Sequence, residues 1–391
     1  MRKSVITALM LASFIMLSSC TAKDASSQPA GSVSYEEFTE SESSGIYRAE
    51  WQVEKEDTDR SEKTGELVLA CQEHPGVPGY DITYELKVYI KNRIANAKAY
   101  KLSSDTKGVT FEGNKATVPW EIVEKGDPVI LKAVSCEDEK VYDTYPLTFK
   151  KWETTLNDDF DGDKLNTEHW SVRSSWPSER LERTNPANAW VEDGKLVLRA
   201  AKLPYEGAEY SHIFLETKNK FTQTYGCFTA SVKVADKGGT NTAFWLLPNE
   251  GDWGKSYLYK HLDSDAWCGE IDILETSPAK SWNNTFQTTL HNWGSAGESS
   301  PDWHERHSYG DRRGEYNEYS CVWTKNALFL YFNGKLLHSV YGIEATDNPA
   351  YILLDLELGA HKSTEKYDWC GTYTDADLPI YAYVDFVRVY R

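Results

Sequence analysis

The stretch WCGEIDILETS, from Trp267 to Ser277, decides how this sequence folds. Acidic and aliphatic residues alternate in it, which is typical of a β-strand with one polar and one apolar face. On a regular strand Glu270 and Asp272 share a face, whereas Glu275 points to the opposite side. One extra residue between Asp272 and Glu275, a β-bulge, would return Glu275 to the face of the other two acids. The sequence therefore predicts a bulged strand that presents three carboxyl groups together.

The spacing of two of these carboxyl groups suits a particular chemistry. With the bulge, Glu270 and Glu275 lie about 13 Å apart along the strand. If each side chain leans inward by about 4 Å, the two carboxyl groups approach the ~5 to 5.5 Å separation that retaining glycosidases use. Asp272 falls between them, and crowding three acids on one face raises the pKa of at least one of them. Surface acids kept for solubility on an edge strand are the competing interpretation.

The segments around this strand also read as strands. GKLVLRA, TAFWLLP and YILLDLELG are short and apolar or alternating, and the pair Asn333-Gly334 predicts a tight hairpin. Because so many strands in one domain need two stacked sheets, residues 151–391 are predicted to form a large antiparallel β-sandwich. Residues 45–150 hold shorter alternating segments and predict an immunoglobulin-like β-sandwich. Its role as a spacer or as an accessory carbohydrate-binding module stays open.

Composition limits the class of partner. The chain has 391 residues and a formal net charge of −18, which argues against nucleic acid or an anionic membrane surface. Its 14 Trp and 24 Tyr residues offer flat faces for sugar rings, although aromatic side chains also fill β-sandwich cores. A neutral or weakly charged ligand fits this balance, and no partner chain is implied, so we expect a monomer.

The first twenty residues have the features of a processing segment. Arg2 and Lys3 precede an apolar run, and Leu17 to Cys20 reads Leu-Ser-Ser-Cys, so residues 1–20 predict a secretory signal. The last four resemble a bacterial lipobox, which implies that Cys20 is lipidated and begins the mature chain. An ordinary signal peptide that contains a cysteine is the alternative. Residues 21–44 are polar and predict a flexible tether. We therefore expect a lipid-anchored protein of the bacterial cell envelope.

The run from Glu270 to Glu275 resembles the active-site signature of glycoside hydrolase family 16, E-I-D-x-x-E in its bulged form. Flanking segments match the same family in order: DDFDGDKLNTEHW, VEDGKLVLRA, ETKNKFTQTYGCFTASVKV, TAFWLLP, TTLHNW and VDFVRVY. The resemblance covers residues 151–391. It implies a concanavalin-like β-jelly-roll of two curved antiparallel sheets, an all-β fold in agreement with the strand pattern.

The resemblance also implies a role for each acid. Glu270 takes the place of the nucleophile that forms a covalent glycosyl-enzyme, and Glu275 that of the general acid/base. Asp272 is the assisting carboxylate, which tunes the charge and orientation of the nucleophile. No cofactor is implied for catalysis.

Three further residues are candidates for substrate binding by the same resemblance. His291 lies in the strand after the signature, where the family often has a histidine beside the cleaved bond. Trp245 and Trp267 are candidates for stacking under sugar rings, with core packing as their alternative.

A structural calcium ion is also expected from the family, on the convex side of the fold. The matching ligands are the Asp159 carboxylate, the backbone oxygen of Gly194 and the Asp385 carboxylate. Since Ca²⁺ takes about 6–8 oxygen ligands, these three would need water or further carbonyls. The alternative is that both acids cap strand ends.

Departures from the family pattern leave the substrate open. Gly239–Thr242, Asp265–Cys268 and Leu358–His361 differ from the sequences that β-1,3-glucanases of this family usually have at those places. The resemblance thus implies a retaining endo-acting hydrolase of internal β-glycosidic bonds. Its substrate would be a laminarin-type β-1,3-glucan or a β-galactan or mucin-type glycan. A non-catalytic carbohydrate-binding surface lipoprotein is the alternative function.

Overall fold

The computed structural model describes residues 67–174, 182–248, 267–276, 284–293, 299–312, 314–325, 327–341, 349–364 and 370–391. Over these ranges the chain is built from β-strands, with a single α-helix, Trp120–Lys125 (α1), that ends at the left-handed Gly126. No helix of the described part is long and apolar enough to span a membrane. The predicted all-β class is confirmed.

The N-terminal unit is a sandwich of two small sheets. Its strands are Leu67–Gln72 (β1), Ile82–Ile90 (β2), Arg93–Ile94 (β3), Tyr100–Ser104 (β4), Thr110–Glu112 (β5), Lys115–Val118 (β6), Val129–Ser135 (β7) and Tyr142–Leu147 (β8). One sheet has the order β1-β2-β6-β5 with β3 beside β2, and the other has the order β4-β7-β8. Because buried and exposed residues alternate along β2 and β7, each sheet presents one apolar face to a shared core.

The larger unit contains the remaining strands. They are Thr154–Asp158 (β9), Ser171–Val172 (β10), Glu182–Thr184 (β11), Ala189–Glu192 (β12), Lys195–Ala200 (β13), Tyr210–Glu216 (β14), Gly226–Lys233 (β15), Thr240–Pro248 (β16), Trp267–Glu275 (β17), Thr285–Trp293 (β18), Ser299–Ser308 (β19), Asn317–Trp323 (β20), Ala327–Phe332 (β21), Lys335–Tyr341 (β22), Ala350–Leu358 (β23), Ala360–His361 (β24), Thr372–Tyr373 (β25) and Ile380–Tyr390 (β26). Short 3₁₀ turns lie at Pro186–Asn188, Gly310–Arg312, Lys362–Thr364 and Asp375–Asp377.

Two eight-stranded sheets form the layers of this unit. The first, here named the carboxylate sheet, has the order β10-β14-β23-β16-β17-β18-β19, with β11 beside β14. The second, named the covered sheet, has the order β12-β13-β26-β15-β20-β21-β22, with β9 beside β26. One apolar core lies between them, to which both sheets contribute, for example Phe244 and Ile271 from the first and Phe228 and Val387 from the second. The predicted two-sheet sandwich is therefore present.

The predicted hairpin at Asn333-Gly334 joins β21 to β22. Both residues have positive φ angles, 49° and 73°, as the tight two-residue turn requires. Gly334 also lies against the N-terminal unit, since a Cβ at this position would overlap the Tyr80 ring. The turn therefore serves two purposes, reversing the chain and admitting a neighbouring aromatic side chain.

The loop between β1 and β2 covers the outward face of the covered sheet. Val77 is buried there in one apolar cluster with Cys227 and Phe329, and Tyr80 packs against the same cluster. The Tyr331 hydroxyl lies 3.2 Å from His74 Nδ1 and accepts a 3.1 Å hydrogen bond from the Gly76 amide. Apolar burial and polar contacts thus fix the N-terminal unit to this sheet, on the side away from the carboxylate sheet.

Candidate active site

The bulge in β17 lies where the sequence predicts it. Trp245 of β16 pairs with Asp272, and Phe244 pairs with Leu274, so Ile273 is the extra residue. On the other side of β17, Asp272 pairs with Thr289, and Glu275 pairs with Gln287 two positions earlier. Ile273 and Leu274 both point into the core as a result. Glu275 therefore returns to the outward face that carries Glu270 and Asp272.

Strand β18 supplies a polar partner for each acid. His291 pairs with Glu270 in register, and its Nε2 lies 3.8 Å from Glu270 Oε1 and 3.1 Å from Asp272 Oδ2. Thr289 donates a 3.0 Å hydrogen bond to Glu275 Oε2 and accepts a 2.8 Å hydrogen bond from Gln287 Nε2. The imidazole thus stands beside the first two acids, and a hydroxyl orients the third.

Burial makes full ionisation of this face costly. It raises the pKa of Asp272 well above its usual value, and the nearby charges of Glu275 and Asp355 raise it further. Burial also raises the pKa of Glu275, although His291 and hydrogen bonds from Thr289 and Asn241 act in the opposite direction. The arrangement can therefore keep one carboxyl group protonated beside ionised ones, which is the requirement for paired acid and nucleophile chemistry.

Three of these side chains carry atoms that can act as metal ligands. The candidate ligand atoms of Glu270, Asp272 and His291 lie within 4.8 Å of one another. The same short separations also suit ion pairing, because His291 Nε2 lies 3.1 Å from Asp272 Oδ2 and 3.8 Å from Glu270 Oε1, and an imidazolium attracts both carboxylates. The close approach of the three side chains therefore does not by itself require a metal ion.

A fourth acid, not singled out in the sequence, belongs to the same face. Asp355 of β23 is only 1% exposed, and burial raises its pKa well above the usual value. Its Oδ1 accepts a 2.7 Å hydrogen bond from the indole nitrogen of Trp245. The segment YILLDLELG contains the clue that could have identified this acid, because an acid in an otherwise apolar strand usually has a partner.

The predicted sugar-contacting residues have different outcomes. Trp245 is partly exposed on the outward face opposite Asp272, and His291 lies beside Glu270. Trp267 begins β17, but its side chain lies outside the described part of the structure.

Cys20, with the signal segment and tether, falls in residues 1–66, which are also outside the described part. The catalytic and binding roles of all these residues stay predictions.

The three predicted calcium ligands do not fit a calcium site in this arrangement. The Asp159 carboxylate accepts hydrogen bonds from Arg388 (2.6 Å, Nη2) and from Asn157 (2.7 Å). Lys195 forms an ion pair with Asp385, and its Nζ also donates to the Gly194 carbonyl at 3.1 Å. Cationic side chains thus already neutralise both carboxylates. The sequence showed the acids but not these competing cations, so the calcium expectation is not supported.

Comparison with known proteins defines the class to which this fold and acid cluster belong. The family model described as glycosyl hydrolases family 16 matches residues 179–374, half of the chain. The chain belongs to the glycosyl hydrolases family 16. The match includes β17, β18 and β23, so the whole acid cluster lies inside the family domain.

Individual relatives are more distant. The chain is 27% identical to glucan endo-1,3-beta-glucosidase A1 of Niallia circulans over 274 residues, which are 60% of this chain and 37% of the relative. It is 28% identical to the keratan-sulfate endo-1,4-beta-galactosidase of Sphingobacterium multivorum over 219 residues, 53% of this chain and 46% of the relative. The chain thus spans less than half the length of either relative.

This chain also aligns with a solved structure of an endo-acting O-glycanase. Prominent members of the human gut microbiota express such O-glycanases to initiate mucin breakdown. The TM-score is 0.50 at 19% identity, over 61% of this chain and 91% of that one. This likeness supports the two-sheet fold of the larger unit and nothing finer.

Proposed function

We propose that this protein is a retaining, endo-acting glycoside hydrolase. The observation that carries the proposal is the bulge at Ile273, which puts Glu270, Asp272 and Glu275 on one outward face. Retention of configuration needs an ionised carboxylate that attacks the anomeric carbon and a protonated carboxyl group that serves the leaving oxygen. An acid cluster that resists full ionisation is suited to both roles.

In this mechanism Glu270 is the nucleophile. It attacks the anomeric carbon and forms a covalent glycosyl-enzyme, while Glu275 protonates the departing oxygen. Glu275 then removes a proton from water, which attacks the same carbon and releases the sugar. His291 Nε2 lies 3.1 Å from Asp272 Oδ2 and 3.8 Å from Glu270 Oε1, so Asp272 orients the imidazole and limits the charge around the nucleophile. The raised pKa of Glu275 favours the protonated form that the first step requires.

The proposed substrate is a polysaccharide or glycan with internal β-bonds, either a laminarin-type β-1,3-glucan or a β-galactan or mucin-type glycan. Support for a glucan comes from the name of the Niallia relative, and support for a galactan from that of the Sphingobacterium relative. The chain differs from usual β-1,3-glucanases at Gly239–Thr242 and Leu358–His361, so a β-galactan or mucin-type glycan stays a candidate substrate.

A depolymerisation screen tests the proposal. Protein lacking residues 1–20 is incubated with laminarin, mixed-linkage glucan, agarose, porphyran, carrageenan and mucin glycans, and the products are sized by chromatography. We expect one class of polymer to yield a ladder of intermediate oligosaccharides, and Glu270→Gln to yield none. If the wild type binds a polymer but shortens none, the protein is the carbohydrate-binding alternative.

We also propose that the protein is anchored in the bacterial cell envelope through Cys20. The supporting features are the basic start, the apolar run and the sequence Leu17 to Cys20. Metabolic labelling with a palmitate analogue should mark the wild type and not Cys20→Ala. Equal labelling of both proteins would contradict the anchor.

A further inference from the structure

Strand β23 carries a carboxyl group where an apolar residue would be expected. All nine residues from Ala350 to Leu358 are buried, and the strand lies at the centre of the carboxylate sheet, between β14 and β16. Leu354 and Leu356 face the core. Asp355, between them, therefore faces outward, on the side of β17 that holds the three acids.

The contact that Asp355 makes is directed at one aromatic residue. In register, Asp355 pairs with Ala243, and Trp245 pairs with Leu353, so Asp355 and Trp245 are diagonal neighbours on one face. The indole Nε1–H of Trp245 donates to Asp355 Oδ1 at 2.7 Å, which is a short hydrogen bond to an acid. This bond fixes the rotation of the indole, because a tryptophan ring has a single N–H.

Other contacts hold the indole from its sides. Trp245 packs against Leu247, Tyr351 and Leu353. The Arg173 guanidinium carbon lies 5.9 Å from the centre of the ring. On the neighbouring strand, Trp245 stands opposite Asp272. The ring is thus partly exposed, fixed in orientation, and placed directly beside the proposed catalytic acids.

Holding Asp355 at this position has an energetic cost. Its second oxygen, Oδ2, is buried without a hydrogen-bond partner among the described residues, and the charges of Glu275 and Glu270 lie nearby. A buried polar atom left unpaired costs about 1–3 kcal/mol, and an apolar side chain here would avoid that cost. A group kept at such a cost is typical of a functional surface.

We propose that Asp355 is a positioning residue that fixes the indole of Trp245 as the platform for the sugar bound beside the cleaved bond. The flat apolar ring packs against the C–H face of the sugar, and the hydrogen bond keeps the ring from rotating out of that plane. This inference rests on the proposed glycosidase function. Asp355 itself need not touch the substrate.

The test compares four variants on the polymer identified by the screen. Asp355→Leu removes the acceptor at similar volume, Asp355→Asn keeps an acceptor oxygen, and Trp245→Phe keeps a ring but removes the N–H. The fourth variant combines Asp355→Leu with Trp245→Phe. We expect Asp355→Leu and Trp245→Phe each to raise KM about tenfold with a smaller change in kcat, since about 1.4 kcal/mol of binding corresponds to tenfold.

The pattern among the variants separates positioning from a general structural role. Asp355→Asn should restore most of the affinity, and the double variant should bind no worse than either single variant, because both changes remove one interaction. If Asp355→Leu leaves KM unchanged, or if the two losses simply add, the positioning role is wrong. If Asp355→Asn is as impaired as Asp355→Leu, the carboxyl charge is what matters, and the inference also fails.

A second measurement does not depend on catalysis. In a ¹⁵N-tryptophan-labelled protein, the indole N–H signal that Trp245→Phe removes should be protected from solvent exchange in the wild type and in Asp355→Asn, and exposed in Asp355→Leu. An equal exchange rate in all three would overturn the proposed bond even if the enzyme is active. A protected signal in a protein that cleaves no glycan would overturn the function and leave the bond intact.

Discussion

The two outward faces of the larger sandwich differ in how they hydrogen-bond an acid: Glu318, half-buried on one face, has several donors, and Asp355, buried on the other, has few. On the covered sheet, Glu318 accepts hydrogen bonds from Tyr80 at 3.0 Å, from Thr229 at 2.9 Å and from Ser320 at 3.3 Å. On the carboxylate sheet, Asp355 has one strong donor, and its other oxygen is buried without a hydrogen-bond partner among the residues that the structure describes.

The two faces also differ in what covers them. The loop between β1 and β2 covers the first face with Val77 and Tyr80, whose hydroxyl is one of the donors to Glu318. The second face keeps its acids clustered and Trp245 partly exposed. A protein is more stable when every buried acid has hydrogen-bond donors, whereas catalysis needs acids whose pKa is shifted from its usual value.

The largest effect is expected on the carboxylate sheet, at the two proposed catalytic glutamates. Glu270→Ala and Glu275→Ala should each lower kcat by about a thousandfold or more, since general acid–base and covalent catalysis both act there. Azide should rescue them differently. In Glu270→Ala it attacks the vacated side and gives a product of inverted configuration. In Glu275→Ala, with an aryl glycoside whose leaving group needs no protonation, it attacks the glycosyl-enzyme and gives a product of retained configuration. The same stereochemistry from both variants would show that the two roles are assigned wrongly.

On the covered sheet the matching change should affect stability and leave catalysis alone. Tyr331→Phe removes a hydroxyl that lies 3.2 Å from His74 Nδ1 and accepts from the Gly76 amide. Burial lowers the pKa of His74 to about 4, so a neutral imidazole would lose this contact. We expect the free energy of unfolding to fall by about 1–3 kcal/mol, the cost of unpaired buried groups, as measured by urea denaturation.

The control for that change is Tyr142→Phe, at an exposed position on β8, which should leave the unfolding curve unchanged. If Tyr331→Phe instead lowers kcat with no loss of stability, the covered sheet takes part in catalysis, and the proposed contrast between the two faces is wrong.

Converting one acid to an amide on each face sharpens the contrast further. The pKa of Asp355 is higher in the folded protein than in the unfolded chain. Between these two pKa values the folded state binds a proton that the unfolded state does not, so the free energy of unfolding falls as the pH rises through this interval. Asp355→Asn removes this penalty. It should raise the free energy of unfolding by about 1–3 kcal/mol at pH 8 and by nothing near pH 3, where the carboxyl group is protonated in both states.

Glu318→Gln is the matched substitution on the covered sheet. Burial raises the pKa of Glu318 too, but hydrogen bonds from Thr229, Tyr80 and Ser320 counter that rise. Because the amide gives those hydroxyl donors a weaker acceptor, we expect no gain in thermal stability at pH 8. A gain equal to that of Asp355→Asn would mean that the two acids are buried at equal cost.

The smallest expected effect concerns the tuning of Glu275. Thr289→Val removes the hydrogen bond that favours the charged carboxylate, so the pKa of Glu275 rises and the acid stays protonated to higher pH. The alkaline limb of kcat/KM should move upward by about one pH unit, as expected for a lost bond to a charged group.

Thr288→Val is the control on the same strand. Thr288 is equally buried, but it contacts His307 at 3.0 Å and lies away from Glu275. It should leave the pH profile in place. An identical shift in both variants would assign the effect to general loosening of β18.

The sequence was sufficient for features encoded within a few neighbouring residues. The bulge at Ile273 follows from an acid that falls out of step with strand alternation, and the hairpin follows from Asn333-Gly334. Asp355 and Thr289 reach the site only through the order β23-β16-β17-β18, which joins segments distant in the chain. A single sequence does not reveal such pairings.

The same limit explains the calcium expectation and the open role of the N-terminal unit. Arg388 reaches Asp159 across the pairing of β26 with β9, and this contact is invisible in either segment alone. Tyr80 meets Glu318 across the boundary between the two units. Both contacts depend on packing between elements, which local patterns do not specify.

The most direct test of the central claim is to find which carboxylate becomes covalently attached to the sugar. The wild type is incubated with a 2-deoxy-2-fluoro glycoside of the sugar identified by the depolymerisation screen, digested, and examined by peptide mass spectrometry. The bulged-strand account predicts a single labelled residue, Glu270, with Glu275 unmodified. Label on Glu275 or on Asp272 would contradict the assignment of the three acids on β17.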